Sequence, residues 1–323
     1  MFFLCVLVSF KTFVAVCRSD ILKYPFMARK TILVTGGAGH VGSHVVEMLV
    51  AESNNRVISV DNYFNGHEEN HIAGAEYRRG DTKNIEVLIP ERPDIVYHLG
   101  EYARITPSFE DVRQVYEMNM IGTFAVVEFC RFRKVSKLVY AASSTKFAIE
   151  GDGRHQNPYS FTKATNVDLI NDYGRWYNLP YAICYFYNAF GPRERGEGKY
   201  ATVIAKFERQ YVQGEPLTVV APGTQKRAFT YVKDLARGII LAGQSGVGDG
   251  YALGAPTSYS ILQIAEAFGG PIRIVEGYAG REESGNDPTK AREDLGWEST
   301  LGVMDYIRDF TRKHPRNHTR PTL

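Results

Sequence analysis

The chain has 323 residues, 44% hydrophobic and 23% charged, enough for one large or two modest soluble domains around a sizeable core. Its formal net charge is only +2, so no global field recruits nucleic acid or an anionic membrane surface, and any bound anion must be met by local Arg and Lys side chains. Cys5, Cys17, Cys130 and Cys184 are widely spaced, with no CxxC pair and no His cluster, which speaks against a metal site and fits a reduced, cytoplasmic chain.

Residues 1–26 differ in texture from the rest of the chain. Phe2 to Val16 is an apolar run interrupted by Lys11, too short and too marked to span a bilayer comfortably. It has no positive n-region, and Ala15-Val16-Cys17 is a poor cleavage site. The simplest expectation is a dispensable or non-native extension with Met27 as the biological start; a membrane-proximal anchor or a true signal are the alternatives.

From Thr31 onward, short β-branched runs alternate with amphipathic stretches. The expected strands are Thr31–Val34, Arg56–Val60, Ile95–Leu99, Lys137–Ala142 and Tyr181–Phe186, with helices over His44–Ala51 and Met120–Arg131. Such alternation implies an α/β fold, a doubly wound parallel sheet with helices on both faces. After Asn188 the texture changes: Gly191-Pro192-Arg193 breaks the chain, and Pro222-Gly223 and Gly269-Gly270-Pro271 mark turns. The expected organisation is a dinucleotide-binding domain over 27–187 and a smaller, irregular substrate-binding lobe over 188–323. Phe229–Gly243 reads as strand then helix, so 228–248 is expected to return to the first domain.

Thr35-Gly36-Gly37-Ala38-Gly39-His40-Val41-Gly42 carries glycines at GxxGxxG spacing between an expected strand and helix, the context that gives this motif meaning. Gly36 permits a tight turn, Gly39 lets backbone approach a diphosphate, and Gly42 allows close packing of helix on strand. A diphosphate would sit at the helix N-terminus, with His40 and Val41 in its first turn. Asp61 closes the second strand nineteen residues past Gly42. A carboxylate there accepts hydrogen bonds from both ribose hydroxyls and repels a 2′-phosphate, which favours NAD over NADP.

Tyr159 and Lys163 stand at i and i+4 on a helix that Pro158 introduces. A free phenol ionises near pH 10, too high for a base at neutrality, and a neighbouring ammonium favours the phenolate. Tyr159 can then take a proton from a substrate hydroxyl while Lys163 also reaches the nicotinamide ribose. Upstream, Ala141-Ala142-Ser143-Ser144-Thr145 ends an expected strand on the side where such sheets bind ligands, so Ser143 can hold the substrate oxygen beside Tyr159.

Together with Asp61-Asn62, Gly80-Asp81, His98-Leu99, Asn119, Tyr187-Asn188-Ala189-Phe190-Gly191-Pro192-Arg193 and Phe229-Thr230-Tyr231-Val232, these motifs make the chain resemble the extended short-chain dehydrogenase/reductase family. Within it, the pattern is similar to the NAD-dependent nucleotide-sugar epimerase/dehydratase branch, from Lys30 to about Trp297. The resemblance implies a Rossmann-type fold with a C-terminal substrate lobe, NAD as cofactor, and a nucleotide-diphosphate sugar, UDP-linked by default, as substrate. It implies Asp81 near the adenine, Asn62 and Leu99 beside the cofactor, Asn119 supporting the site and Asn188 on the sugar diphosphate. Arg227 and Arg281 resemble diphosphate-clamping arginines, a task that suits the guanidinium fork. Relatives commonly form homodimers through the helix carrying Tyr159.

The 4,6-dehydratases of the branch carry Asp-Glu after the catalytic Thr, and decarboxylating members keep a Glu at the second position. Here Ser144-Thr145 stand there, and the run is closer to the Ser-Ala-Thr of sugar 4-epimerases. The expected reaction is therefore C4 inversion through a transient 4-keto sugar. A dehydratase, C4 oxidoreductase, 3,5-type epimerase-reductase or non-catalytic NAD sensor are the alternatives. Gly100-Glu101-Tyr102-Ala103-Arg104 departs from the family's small-residue run and places Glu101 and Arg104 near the substrate. The expectation is that they pair with each other; the alternative is Glu101 as an acid/base.

Overall fold

The computed structural model describes residues 29–317 except 53, 148–152, 279, 281 and 283–285. The N-terminal extension with Cys5, Cys17 and Met27, and Arg281, lie outside the described residues.

Strands β1 (Lys30–Thr35), β2 (Asn55–Asp61), β4 (Ile95–His98), β5 (Lys137–Ser143) and β6 (Tyr181–Phe186) follow the β-branched and aromatic runs of the sequence, and β3 (Glu76–Arg79), a charged edge strand, is not expected from it. Beyond them come β7 (Asn188–Phe190), β8 (Leu217–Val220), β9 (Lys226–Tyr231), β10 (Gly248–Leu253), β11 (Ser258–Ser260) and β12 (Ile272–Val275). The helices of the first half are α1 (His40–Ala51), α2 (Ile85–Leu88), α3 (Val112–Val115), α4 (Gly122–Arg133) and α5 (Pro158–Tyr177). Those of the second half are α6 (Val203–Val212), α7 (Val232–Ser245), α8 (Ile261–Phe268), α9 (Thr289–Leu295) and α10 (Val303–Lys313).

A seven-stranded parallel sheet runs β10-β6-β5-β4-β1-β2-β3. Parallel strands need both faces covered. On one face Val45, Val46 and Leu49 of α1 and Leu235 and Ile239 of α7 bury Val34, Val57 and Tyr97. On the other, Val126, Phe129 and Cys130 of α4 and Val167 and Ile170 of α5 cover Leu33, Val96, Leu138 and Tyr140. A third core, with Phe190, Phe207, Leu217, Phe229, Ile264, Phe268 and Ile307, joins the smaller sheets β11-β9-β7 and β12-β8 to α6, α8 and α10.

Three local outcomes differ from the sequence reading. α1 begins at His40 rather than His44, because the second half of the glycine motif is already its first turn. The expected helix over Met120–Arg131 is entered through a π-helical stretch, Tyr116–Ile121, before α4 proper. The strand half of the expected return, β9, stays in the smaller sheet between β7 and β11, and the chain rejoins the large sheet through α7 and then β10, reaching Leu253. Within Gly248-Asp249-Gly250 the register against β6 shifts, and the strand continues.

Asp234, in the first turn of α7, ties the C-terminal segment down. Its carboxylate accepts Thr300 N at 2.6 Å, Thr300 Oγ1 at 2.7 Å and Leu301 N at 3.2 Å, while its carbonyl accepts the indole N–H of buried Trp297 at 2.7 Å. Asp234→Ala orphans the donors that its carboxylate meets and should cost about 2–4 kcal/mol, read as a lower urea midpoint in equilibrium unfolding. An unchanged midpoint would refute this account of the docking.

Candidate active site

Strand order reverses between β1 and β4, which opens a crevice at the carboxyl end of the sheet. Gly36, at the first bend after β1, has φ +75°, and a Cβ there would lie 2.9 Å from the Leu99–Gly100 backbone. A Cβ on Gly42 would come within 2.0 Å of the Gly36 carbonyl oxygen, so the first turn of α1 presses directly on the loop. Gly39 is the N-cap residue and offers no side-chain cap, leaving the helix N–H groups open to an anion. This cradle fits a dinucleotide diphosphate.

Asp61 ends β2 beside it. Its carboxylate accepts Ala38 N at 2.9 Å and Tyr63 N at 2.8 Å. Burial pushes this carboxyl above the usual range, and the two N–H donors oppose that shift. Asn62 Nδ2 donates to Asp81 Oδ1 at 2.7 Å, which joins those two expected residues on one wall. His40, in the first turn of α1, is held neutral: burial, with help from neighbouring cations, pushes its imidazole down to about 3.

The opposite wall is built by β5 and α5. Ser143 is the last residue of β5, and its Oγ accepts Thr145 N at 3.2 Å. Pro158 stands at the start of α5, and Asn157 caps it by accepting Ser160 N at 2.8 Å. Tyr159 and Lys163 are both buried on this helix and both line the cavity. Lys163 donates to the Ala141 carbonyl and to Glu101.

This corrects the expected pairing of Glu101 with Arg104. Arg104 Nε instead donates to the Tyr200 carbonyl at 2.7 Å and its Nη1 to the Ala103 carbonyl at 2.8 Å. Glu101 turns the other way, into the sheet. Its Oε1 accepts Thr123 Oγ1 at 2.8 Å, Asn166 Nδ2 at 2.9 Å and Tyr140 OH at 3.1 Å. Thr123 also meets His98 Nε2 at 2.8 Å, and His98 Nδ1 meets Thr35 Oγ1 at 2.7 Å. Burial pushes the His98 imidazole down to about 4, so it is neutral. Because Thr123 gives its one hydroxyl proton to Glu101, His98 must donate from Nε2 and accept at Nδ1. Asn119, fully buried, brackets the Tyr102 backbone and donates to Thr162 Oγ1 at 3.0 Å.

The cofactor cradle, Asp61, Asp81, Ser143, Tyr159, Lys163 and Glu101 border one cleft of about 900 Å³, large enough for a cofactor and part of a second ligand. Ser144, Asn188, Arg104 and Arg227 also line it. Asn188 Nδ2 donates to the Ala228 carbonyl at 3.1 Å, and Arg227 Nη1 to the Lys226 carbonyl at 2.7 Å. Sequence reasoning missed Glu194, whose carboxyl burial pushes up to about 8 and which lines the same cleft. It also missed Asn166. Neither lies in a recognisable motif, although Asn166 follows Lys163 by three residues and so shares its helix face.

The model of the NAD dependent epimerase/dehydratase family matches residues 32–254. UDP-glucuronic acid decarboxylase 1 of Xenopus tropicalis is 30% identical, over 89% of this chain and 74% of its own length. The putative UDP-glucose 4-epimerase of Methanocaldococcus jannaschii is 28% identical, over 86% of this chain and 96% of its own. Among solved structures, UDP-glucose 4-epimerase of Thermotoga maritima, crystallised with UDP-glucose, superposes with a TM-score of 0.80 at 27% identity, covering 88% of this chain and 99% of that one. The Thermus thermophilus UDP-glucose 4-epimerase, in complex with NAD, gives a TM-score of 0.78 at 30% identity, covering 87% and 99%.

Gly42→Ala tests the cradle directly. The added methyl must displace the Gly36 carbonyl, an overpacking cost of roughly 1–3 kcal/mol. NAD affinity by calorimetry should fall about tenfold or more while far-UV circular dichroism is retained; undiminished binding would show that the loop does not hold the cofactor.

Proposed function

Because this chain belongs to the NAD dependent epimerase/dehydratase family, we propose that it is an epimerase that inverts C4 of a nucleotide-diphosphate sugar, most simply a UDP-sugar, through a transient 4-keto intermediate. The observation that carries this reading is the hydroxyl loop. Ser143, Ser144 and Thr145 end β5 at the cleft without a carboxylate, and Glu101 is engaged by Lys163 and three further donors rather than aimed at the sugar. Expelling water from C6 needs an acid and a base there; inverting C4 needs only one proton carrier.

In this reading Tyr159 removes the C4-hydroxyl proton, Ser143 holds that oxygen, and Lys163 favours the phenolate. When bound, NAD supplies the two-electron acceptor and donor of the cycle. Gly36, Gly39, His40, Val41 and Gly42 would hold its diphosphate, Asp61 and Asn62 its adenosine ribose, Asp81 the adenine, and Leu99, Tyr159 and Lys163 the nicotinamide side. Asn188 and Arg227 would hold the sugar diphosphate, with Arg104 and Ser144 toward the sugar. The flat keto sugar turns about that anchored diphosphate before Tyr159 returns the proton.

Incubation with UDP-glucose, UDP-GlcNAc, UDP-glucuronate and dTDP-glucose, followed by mass spectrometry and NMR, tests the proposal. The expected product has inverted C4 at unchanged mass without net NAD reduction, and Tyr159→Phe lowers kcat by about 10²–10⁴. Loss of carbon dioxide from UDP-glucuronate would instead establish the decarboxylase reading favoured by the Xenopus relative. Loss of water would establish a dehydratase.

We also propose a homodimer. Ile121, at 52% exposure, precedes Phe124 at 50% and Phe132 at 62% on α4, and Trp176 at 61% and Tyr177 at 50% end α5. Isolated exposed apolar residues are common, and this number of large ones on two adjacent helices supports a subunit contact there. Analytical ultracentrifugation should show a dimer that Phe124→Glu converts to monomer; a monomeric wild type at micromolar concentration would refute it.

A further inference from the structure

The carboxylate of Glu101 is buried, and its surroundings are built for it. Its side chain is 2% exposed and that of its partner Lys163 is 6% exposed. Four donors from three elements converge on it: Lys163 and Asn166 from α5, Thr123 from α4, and Tyr140 from β5. The Thr35–His98–Thr123 ladder backs it from β1 and β4. Such convergence suits an anion and fixes its direction.

We propose that Glu101 is the positioning and charge-balancing residue of the Tyr159–Lys163 pair, holding the ammonium against β5 and setting the pH range in which Tyr159 works. The proposal rests on the reading of Tyr159 as the proton carrier. An ammonium alone in a low-dielectric crevice acts on a nearby phenol as a full positive charge. With a carboxylate in contact it acts as a dipole, whose field falls off faster. An unpaired buried ammonium is also costly, and it would have to share the crevice with the positive ring of oxidised NAD. Glu101 removes both problems while leaving Lys163 in place to donate hydrogen bonds.

The charged and titratable groups around this unit are few. α5 contributes Tyr159 and Lys163, β5 Tyr140, β4 His98, and the loop after β4 contributes Arg104, which faces Tyr159. His98 is neutral, and burial raises Tyr140 well above its ordinary range, so neither supplies charge near neutrality. Arg104 adds a positive charge and also faces the Glu194 carboxyl, which burial pushes up to about 8. Tyr102 packs against Tyr159, and burial with the Asp111 carboxylate keeps its phenol neutral. Glu194 and Tyr102 are common to wild type and the variants below. Glu101 is then the counter-charge whose removal shifts the balance.

Glu101→Gln keeps the shape and loses the charge. With Lys163 no longer compensated, the phenolate of Tyr159 is favoured, so the acid limb of kcat/KM against pH should move down by roughly one pH unit. The same shift should appear in ¹³C-tyrosine NMR of the full chain, with the Tyr159 resonance identified by its loss in Tyr159→Phe. Glu101→Asp withdraws the carboxylate by one methylene and should give a smaller shift of the same sign, which decides the matter if Glu101→Gln fails to fold. An acid limb and a Tyr159 titration that stay at the wild-type position, whatever the loss in rate or stability, would reduce Glu101 to a structural residue and overturn the proposal; so would a shift to higher pH. The NMR titration needs no turnover. A shifted Tyr159 in a protein that epimerises no sugar would therefore sink the proposed reaction and leave the role of Glu101 standing.

Discussion

The reversal of strand order between β1 and β4 is the constraint from which the site follows. The chain leaves those two strands toward opposite faces, to α1 from β1 and to α4 from β4, so a crevice stays at the carboxyl edge while Gly36 and Leu99–Gly100 touch at its base. Thr35 and His98 are register partners across the gap, and each ends its strand there. A histidine buried at such a place must satisfy two ring nitrogens without water. It does so with one hydroxyl from β1 and one from α4, and the second hydroxyl then has a single proton left to give, which goes to Glu101. The opening in the sheet thus dictates a polar ladder beneath it. That ladder ends on the side chain that holds Lys163.

The parts of this arrangement that are legible in the sequence are those where one residue type has one physical use. A β-branched run ending in glycines gives β1 and its loop, because a Cβ at Gly36, where φ is +75°, would lie 2.9 Å from the Leu99–Gly100 backbone and one at Gly42 would come within 2.0 Å of the Gly36 carbonyl oxygen. Distance from that loop places Asp61, and helical spacing places Tyr159 and Lys163. The seven-stranded order is less completely legible. β10 hides behind Gly248-Asp249-Gly250, where a register shift rather than a turn absorbs the glycines.

Glu101 is misread from sequence for a different reason. A carboxylate three residues from an arginine invites a local pair, and that inference assumes regular geometry. The segment after β4 is irregular, so Glu101 and Arg104 point to opposite sides, one to the sheet and one toward the Tyr200 carbonyl. No spacing rule reports on a partner as distant along the chain as Lys163. Glu194 escapes for a related reason: its elevated carboxyl comes from burial by the assembled fold, which no local pattern encodes.

The isolation of this ladder bears on which reaction the site can run. An enzyme that oxidises and re-reduces the same carbon must return to its starting protonation state at each turnover, and it benefits if the proton it removes is kept for the return step. Tyr159 and Lys163 are buried, and the carboxylate behind them is walled by Thr123, Tyr140 and Asn166. In the proposed cycle Glu101, already engaged by four donors, holds Lys163 rather than relaying the proton of Tyr159. Elimination and decarboxylation place a different demand on the protein, since a proton must also be handled at the neighbouring carbons. The loop that would face those carbons ends β5 in three hydroxyls, groups that orient a sugar well and exchange protons poorly at neutral pH. On the proposed reading, that hydroxyl-lined wall is the feature that separates inversion at C4 from chemistry at C5 or C6.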